Sequence, residues 1–369
     1  MSGDSSISPS DRLRVKVVTG TLETLLPEWE ELFGRDSRAM PFSSAGWARA
    51  WVQHYPDMGE PWVLTVRDAW GTLLGIAPFA LTRRGPARVL GAFGSDPADY
   101  WDIVADDNHR ESVVEAAIAG LLANAGSWDL LNLTCLPAWS DTHTAFERHR
   151  DLRAYTRPWI PCPAVRLPAT FDEWLARLSS NRRSNFRRAI KKVDNGTVTI
   201  REVTDPAELP GAVARWQQLR KDQWDGRGMT IARTHIVPRF RDFTTALVRD
   251  LVPAGLAVVW EVLADDQQAG IYINYQDSTT FYRELGGFDL EFTNLGIGKI
   301  TDVYGIRQSI EAGRTWFDFT VGSEDYKYSY GAEERYVPRS IFAHRGARSQ
   351  VALHAAIAAD HRRGREDQL

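Results

Sequence analysis

A glycine-rich segment at residues 281–298 contains residues whose types and spacing suit the binding of an anion. An apolar run ends in Gly286-Gly287, and Asn294-Leu295-Gly296-Ile297-Gly298-Lys299 follows where a helical pattern begins. Because glycine lacks a Cβ, successive N–H groups can converge on a phosphate there, and a helix N-terminus adds the positive end of its dipole. The pattern predicts an anion site formed by Leu295, Gly296, Ile297, Gly298 and Lys299.

This segment fits neither of two common phosphate-binding fingerprints. Ile300 stands where a P-loop requires Ser or Thr, and the third glycine of a dinucleotide-binding loop is missing. A glycine-rich turn without any ligand would use the same residues. Both interpretations stay open on the pattern alone.

A basic run at residues 182–192 is a second place where an anion could bind. Its members are Arg182, Arg183, Arg187, Arg188, Lys191 and Lys192. Arg183, Arg187 and Lys191 are spaced four residues apart and share one helical face, while Phe186 and Ile190 share another. The basic face is either a solvated surface or a local site for a nucleotide-linked acceptor, a polysaccharide intermediate or a tRNA acceptor stem.

The composition excludes several classes of protein. The 369 residues are 43% hydrophobic and 25% charged, enough for about two domains. The net charge of -4 argues against a generally basic nucleic-acid-binding protein, so any anion site is local. Cys135 and Cys162 form no CxxC pair, which predicts neither a disulfide framework nor a metal site and suits a reducing cytoplasm. A G-x-S-x-G elbow is absent, which disfavours a hydrolase.

Periodicity predicts a mixed α/β fold in two halves with the same order of elements. In the first half we predict helices over 22–33, 45–54 and 110–124, a hairpin of strands over 62–66 and 73–81, and a strand over 128–134. In the second half we predict a strand over 198–203, helices over 207–224 and 235–251, three strands over 256–263, 269–275 and 279–285, a helix over 296–312 and a strand over 315–320. The repeated order indicates an internal duplication.

These elements predict two domains joined by a proline-rich connection at residues 157–163. We expect a disordered N-terminus at 1–12, one domain over 13–160, a second over 164–345 and a C-terminal helix or tail over 346–369. No run approaches the roughly 18 apolar residues of a membrane span, and we expect a cytoplasmic monomer or homodimer.

Three stretches resemble a known family. Thr293 to Gly298 is similar to the pyrophosphate-binding pattern of the GNAT superfamily, (Gln or Arg)-x-x-Gly-x-(Gly or Ala), with Thr293 in place of Gln or Arg. Phe317-Asp318-Phe319, Gly322 and Tyr326-Lys327 resemble the signature of the CelD (BcsL) or BioF2-like acetyltransferases. The basic run resembles the arginine-rich helix of that family, which is related in fold to the Fem aminoacyltransferases.

The resemblance implies tandem GNAT-like domains, each a mixed central sheet flanked by helices, and an acyltransferase without a metal. Acetyl-CoA or another acyl-CoA would be the co-substrate, and an amine would attack its thioester directly. The implied catalytic residues are Glu284 or Asp318 as the general base, Tyr326 as the acid and Lys327 as a ligand of a substrate anion.

Two further sets of residues are expected to bind the acceptor. Asp99, Tyr100 and Asp102 follow a loop signal at 94–97 and would suit a cationic amine in a cleft between the domains, although turn structure accounts for them equally well. Arg183 and Arg187 would bind an anionic acceptor. Two alternatives remain: a Fem-like transferase that takes its acyl group from aminoacyl-tRNA, and a non-catalytic binding protein whose donor site has decayed at Thr293.

Overall fold

The computed structural model describes residues 13–95, 97–225 and 237–366. The predicted disordered N-terminus at 1–12 lies outside these ranges, as do residues 235 and 236 of the predicted helix. By internal contacts the chain divides into two compact units, one reaching Ile160 and resuming at Tyr336, the other spanning Pro161–Arg335. No helix in the described ranges has the length and hydropathy that a membrane span requires.

The first unit contains an eight-stranded sheet within the described residues, in the order β1-β2-β3-β4-β6-β14-β7, with β5 paired to β3. Its strands are β1 (Arg14–Thr19), β2 (Glu60–Arg67), β3 (Leu73–Arg84), β4 (Ala87–Ala92), β5 (Val104–Ala105), β6 (Leu130–Leu133), β7 (Leu152–Pro161) and, from the end of the chain, β14 (Tyr336–His344). Its helices are α1 (Leu26–Phe33), α2 (Ala45–His54), α3 (Arg110–Ala123), α4 (Asp141–Arg148) and α11 (Ala347–Glu366).

The second unit contains a six-stranded sheet within the described residues, in the order β8-β13-β12-β11-β10-β9. Its strands are β8 (Ala164–Arg166), β9 (Val198–Glu202), β10 (Ala257–Ala264), β11 (Gln267–Gln276), β12 (Thr280–Phe288) and β13 (Trp316–Asp318). Its helices are α5 (Phe171–Ala176), α6 (Ser180–Asp194), α7 (Leu209–Asp225), α8 (Pro238–Leu251), α9 (Ile297–Glu311) and α10 (Asp325–Tyr328).

Both units follow one plan, which confirms the predicted fold class of tandem mixed sheets flanked by helices. Apart from the two-residue β5 between β4 and α3, the first runs β1-α1-α2-β2-β3-β4-α3-β6, and the second runs β9-α7-α8-β10-β11-β12-α9-β13. In each, three antiparallel strands precede a helix, and the next strand lies parallel to the third: β6 beside β4, and β13 beside β12. A helix crossover of this kind is the usual way to make two neighbouring strands parallel.

The sheet of the second unit is buried on both faces, and its side chains alternate between them. Val258, Trp260 and Tyr272 belong to a core shared with α6 and α9. Val259 and Ile271 belong to a core shared with α7 and α8. This alternation is the period-two pattern of a pleated strand and determines which side chains can reach α9.

Local signals set several boundaries of these elements. The side chain of Ser44 accepts a hydrogen bond from the N–H of Trp47 and begins α2. The hairpin β10–β11 turns through Asp265 and Asp266, whose φ angles of 50° and 59° are those that a two-residue hairpin turn needs.

Two segments near the unit boundaries differ from the sequence-based expectation. The proline-rich stretch 157–163 is not an irregular joint throughout, because β7 continues to Pro161. Since β7 lies at the edge of its sheet, its prolines remove no ladder hydrogen bond from a central strand. Residues 336–344, which the sequence placed in the second domain, form β14 and pair with β6, as in Ser340↔Leu133.

Candidate functional site

The parallel strands β12 and β13 separate at one end of their shared ladder. Their pairing runs from Thr280↔Trp316 to Tyr282↔Asp318, after which β13 ends, whereas β12 continues to Phe288. After Asp318 the chain turns away through Thr320, which has a φ of 55°. The second half of β12 therefore extends beyond its parallel neighbour, next to the helix that follows it in the sequence.

That helix, α9, begins with backbone donors that no described residue satisfies. Gly296 adopts a left-handed conformation (φ 72°) as the N-cap, and no side chain caps the helix. The carbonyl of Gly296 accepts from Ile300, but no described residue accepts from the N–H of Ile297, Gly298 or Lys299. Three N–H groups at a helix N-terminus form a ready site for an anion.

The structure refines the predicted cradle. The N–H of Gly296 donates to the carbonyl of Thr293 at 3.1 Å and is therefore not available to a ligand. The N–H groups that remain available are those of Ile297, Gly298 and Lys299. The carbonyl of Leu295 accepts from Lys192 Nζ at 2.8 Å, which ties the loop to α6. Ile297 is buried, whereas the side chain of Lys299 is exposed, so the amides stand at the boundary between core and solvent.

The two glycines that end β12 have a packing role. A Cβ on Gly286 would lie 2.7 Å from Cε1 of Tyr272, and a Cβ on Gly287 would lie 3.1 Å from the carbonyl oxygen of Trp216. The first distance is too short for a side chain and the second is tighter than most Cβ contacts, so packing favours glycine at both positions. The Gly286-Gly287 pair thus lies inside the strand and outside the phosphate loop.

A buried ion pair connects β12 to α9. Arg283 Nε lies 3.0 Å from Asp302 Oδ1, and the Tyr330 hydroxyl donates to Asp302 Oδ2 at 3.0 Å. Burial raises the pKa of Asp302, against the lowering effect of the Arg283 charge. Burial also lowers the pKa of Arg283, but the charge of Asp302 outweighs it and the net change is upward. The pair fixes the position of α9 relative to the strand.

An aromatic stack supports this pair from α6. Phe186 stacks on Tyr330 with ring centroids 4.7 Å apart, and Trp174 also stacks on Phe186, with centroids 5.5 Å apart. The apolar face of the basic helix is therefore used to hold the Tyr330 ring in place.

Two of the four predicted catalytic residues, Asp318 and Lys327, are buried and held by contacts within the protein. Asp318 is buried; it accepts from the N–H of Thr320 at 2.7 Å and forms an ion pair with Arg335. Lys327 Nζ is also buried and contacts the carbonyls of Val321 (2.7 Å) and Gly322 (3.3 Å) and Oε2 of Glu324 (3.0 Å). The Lys327 ammonium thus holds its own loop together, an arrangement that opposes the predicted role as an anion ligand.

The other two, Glu284 and Tyr326, lie on β12 and α10. Glu284 is half-buried on β12, two residues beyond the Tyr282↔Asp318 pair. Tyr326 is 43% exposed and packs edge-on against Phe319 with centroids 6.1 Å apart. Burial of its hydroxyl raises the pKa of Tyr326 to about 12, against the lowering effect of the Arg283 charge. Tyr326 is therefore a neutral hydrogen-bond donor at neutral pH.

The residues predicted to bind a cationic acceptor lie in the first unit. Tyr100 is fully buried and packs edge-to-face on Phe42, with centroids 5.6 Å apart. Asp102 accepts from Ser140 Oγ at 2.6 Å and pairs with Arg110 at 3.2 Å. Asp99 is half-buried. The contacts of Tyr100 and Asp102 make them parts of the core of that unit rather than residues that await a ligand.

The basic face of α6 has few acidic partners. Arg183 is half-buried, and neither its side chain nor that of Lys191 pairs with a described residue. Arg187 lies 3.9 Å from Asp172, and both side chains are largely exposed. Among the described residues no group of three or more His, Cys, Asp or Glu side chains could hold a metal ion.

Sequence reasoning missed four residues of this site: Tyr272, Arg283, Asp302 and Tyr330. The sequence could have indicated Asp302, because it is a charged residue within a helix that is otherwise apolar on several sides. Arg283 carried a similar one, since it lies inside an apolar strand. The other two are ordinary core tyrosines by pattern.

Comparisons with known proteins agree with this geometry. Residues 180–328, less than half of the chain, match the family model described as an acetyltransferase (GNAT) domain. No curated protein matches the sequence.

Solved structures share the fold over most of the chain. FemX superposes with a TM-score of 0.63 at 12% identity, covering 89% of this chain and 96% of FemX. The C-terminal domain of a putative lysylphosphatidylglycerol synthetase from Agrobacterium fabrum gives 0.55 at 13% identity (91% and 97% covered), and L-PGS from Bacillus licheniformis gives 0.52 at 12% identity (90% and 94% covered). At these identities the likeness is one of fold. Residues 180–328 of this chain thus match the acetyltransferase (GNAT) domain model, and the chain as a whole is similar in fold to FemX.

Proposed function

We propose that the protein is an N-acyltransferase that moves an acyl group, acetyl in the simplest case, from acyl-CoA to an amine. The observation that carries this proposal is the unsatisfied first turn of α9, where the N–H groups of Ile297, Gly298 and Lys299 lie just past the separated strands β12 and β13. The whole arrangement falls inside the segment that matches the GNAT domain. Acyl-CoA carries a diphosphate, the kind of group that such a helix N-terminus binds.

The corresponding helix of the first unit supports placing the donor site in the second. Around the first turn of α3, Arg110 pairs with Asp36 at 3.3 Å and Asp102 at 3.2 Å, and Asp106 accepts from the N–H of Asn108 at 3.1 Å. Three carboxylates there would repel a diphosphate. The start of α9 instead has glycines at 296 and 298 and an exposed Lys299. The two units share the same order of elements, but it is the start of α9, in the second unit, whose residues suit the binding of an anion.

The reaction follows from what these residues can do. The amine attacks the thioester carbonyl, the C–N bond forms, the C–S bond breaks, and the ammonium loses a proton. Glu284 is the better candidate for the base, because the Asp318 oxygens are already engaged by Thr320 and Arg335. Positioning and base catalysis would supply most of the rate enhancement.

Tyr326 would stabilise the leaving thiolate. Its pKa of about 12 lies above the usual thiol value of about 8.5, so full proton transfer to the sulfur would be uphill by about 5 kcal/mol. A hydrogen bond from the neutral hydroxyl to the sulfur needs no such transfer. We therefore assign Tyr326 the role of a donor to the thiolate, which takes its proton from solvent.

The test is direct binding followed by turnover. Isothermal titration of the full chain with acetyl-CoA and longer acyl-CoAs should give one site, and free thiol should appear when a panel of sugar amines, amino acids and other small amines is added. If no acyl-CoA binds, the proposal fails. The finer assignment to the CelD (BcsL) or BioF2-like acetyltransferases rests on the motif resemblance and would be tested by the same panel.

An aminoacyl transfer from tRNA is the second candidate. The basic face of α6 favours it, because Arg183 and Lys191 lack acidic partners among the described residues and the overall fold is that of FemX. The double variant Arg183→Glu/Arg187→Glu should abolish a salt-dependent tRNA complex while acyl-CoA binding is unchanged. If tRNA binds neither variant nor parent, this candidate falls and the acyl-CoA reaction stands.

A further inference from the structure

Tyr272 reaches the start of α9 from the neighbouring strand. It lies on β11 opposite Gly286, is 1% exposed, and belongs to the core on the α9 side of the sheet. A Cβ on Gly286 would lie 2.7 Å from its ring, and a Cβ on Gly270 would lie 3.3 Å from it. Glycine at both positions lets the ring lie across the strands, so that the hydroxyl comes within 3.7 Å of where a Cβ on Gly298 would stand.

The hydroxyl of Tyr272 has no hydrogen-bond partner among the described residues. The Thr301 side chain lies beside the Tyr272 hydroxyl. The single proton of the Thr301 hydroxyl is shared between the carbonyls of Ile297 (3.1 Å) and Gly298 (2.9 Å), and the Tyr272–Thr301 contact does not have hydrogen-bonding geometry. Buried hydroxyls in proteins nearly always have a partner. An unpaired hydroxyl beside Gly298, at a helix start whose N–H groups are also unpaired, indicates that a ligand supplies the missing acceptor.

We propose that the Tyr272 hydroxyl donates a hydrogen bond to a phosphate oxygen held by the N–H groups of Ile297, Gly298 and Lys299. This inference rests on the proposed function for the location of the site, and it adds a side-chain ligand to a cradle otherwise made of backbone. The ligand class is a phosphate group, whether it belongs to the diphosphate of acyl-CoA or to a tRNA.

The charges around Tyr272 fit a donor role. Arg283 lies over the ring, with Cζ 5.4 Å from the centroid, but its charge is paired with Asp302. Burial raises the pKa of Tyr272 to about 12, so the hydroxyl keeps its proton at neutral pH. A protonated hydroxyl can stabilise an anion by donating, and the nearby arginine keeps the surroundings from becoming negative.

The experiment compares Tyr272→Phe with Tyr304→Phe. Tyr304 lies on α9 and is half-buried, so its variant makes the same chemical change in the same unit away from the helix N-terminus. Inorganic pyrophosphate, coenzyme A and tRNA are titrated calorimetrically into the parent and both variants. We expect Tyr272→Phe to weaken pyrophosphate binding about tenfold or more, the effect of one hydrogen bond to a charged group, and Tyr304→Phe to leave it unchanged.

A second measurement separates binding from structure. Because the substitution removes an unsatisfied buried hydroxyl, the ligand-free Tyr272→Phe protein should have a Tm equal to or above that of the parent. A lower Tm would mean that the hydroxyl serves the fold, and the inference would fail.

The outcomes distinguish this inference from the proposed function. Equal pyrophosphate binding by Tyr272→Phe and the parent overturns the role of Tyr272, as does a parent that binds no pyrophosphate. If pyrophosphate and tRNA binding depend on Tyr272 but coenzyme A does not bind, the phosphate ligand stands and the acyl-CoA reaction falls. If coenzyme A binding depends on Tyr272, both stand.

Discussion

The Arg283–Asp302 pair allows the sharpest stability prediction. Asp302→Asn keeps the size of the side chain and removes its charge. Asp302 is 3% exposed and is the carboxylate that pairs with Arg283, whereas Glu324 acts on Arg283 only from beyond ion-pair distance, so the substitution leaves a buried guanidinium without its paired carboxylate. Breaking a buried pair from one side costs about 3–5 kcal/mol, and Coulomb's law at an effective dielectric of about 20 gives roughly 5 to 6 kcal/mol for the 3.0 Å separation.

Urea unfolding followed by tryptophan fluorescence measures this loss. The matched control is Asp194→Asn, because Asp194 also pairs with an arginine of α9, Arg307, at 2.7 Å but has a side chain that is 51% exposed. An exposed pair contributes about 0–1 kcal/mol, so the control should unfold almost like the parent. The double variant Arg283→Met/Asp302→Asn should recover most of the loss, since it removes both charges.

The reasoning is refuted if Asp302→Asn unfolds within about 1 kcal/mol of the parent, because a buried charge would then have lost its partner at little cost. It is also refuted if the double variant is less stable than the single one. In that case Asp302 would stabilise the protein through Tyr330 or through packing, and the charge of Arg283 would have little to do with it.

Three further predictions concern the donor site and the loss of stability at low pH. Gly298→Trp should abolish acyl-CoA binding in calorimetry, whereas Gly298→Ala, whose Cβ would meet the Tyr272 hydroxyl at an ordinary 3.7 Å, should fold normally and bind far better than the Trp variant. Tyr326→Phe should lower kcat about 10- to 100-fold with little change in KM for acyl-CoA, because the lost hydrogen bond forms only as the thiolate leaves; equal kcat would remove Tyr326 from the mechanism. Burial raises the pKa of Glu261, but hydrogen bonds from Arg201 and Gln268 outweigh the effect of burial and bring the pKa in the folded protein below the ordinary value of 4.5. The ionised Glu261 therefore stabilises the folded protein above pH 4.5, and this stabilisation is lost as the pH falls through the pKa of the folded state. Glu261→Gln should therefore flatten the urea-stability profile below about pH 4.5, and an unchanged acid limb would contradict this.

The elements themselves could be predicted from sequence. The helix expected over 45–54 is α2 with the same bounds, and the three consecutive strands of the second half are β10, β11 and β12 within a few residues. The glycine-led start of α9 was also expected, because a helix begins where its periodic apolar residues begin and the glycines stand in sequence next to it. These are local properties, carried by residues within one or two turns of each other.

The composition of the site required the tertiary structure. Arg283 and Asp302 meet because β12 and α9 pack together, and Tyr272 reaches Gly298 only through the register that places it opposite Gly286. The same holds for β14, which pairs with a strand some 200 residues earlier, as in Ser340↔Leu133.

The sequence by itself thus determined where strands and helices run, that two halves repeat one order, and where a helix start could take an anion. Only the tertiary structure decided which buried side chains surround that start, and that Gly286 and Gly287 make room for a ring and for the backbone of α7. The physical reason is that the spacing of hydrophobic residues and the residue types of a turn depend only on residues that are close together in the sequence. Contacts between distant residues depend on strand register and helix packing, which follow from the whole core at once.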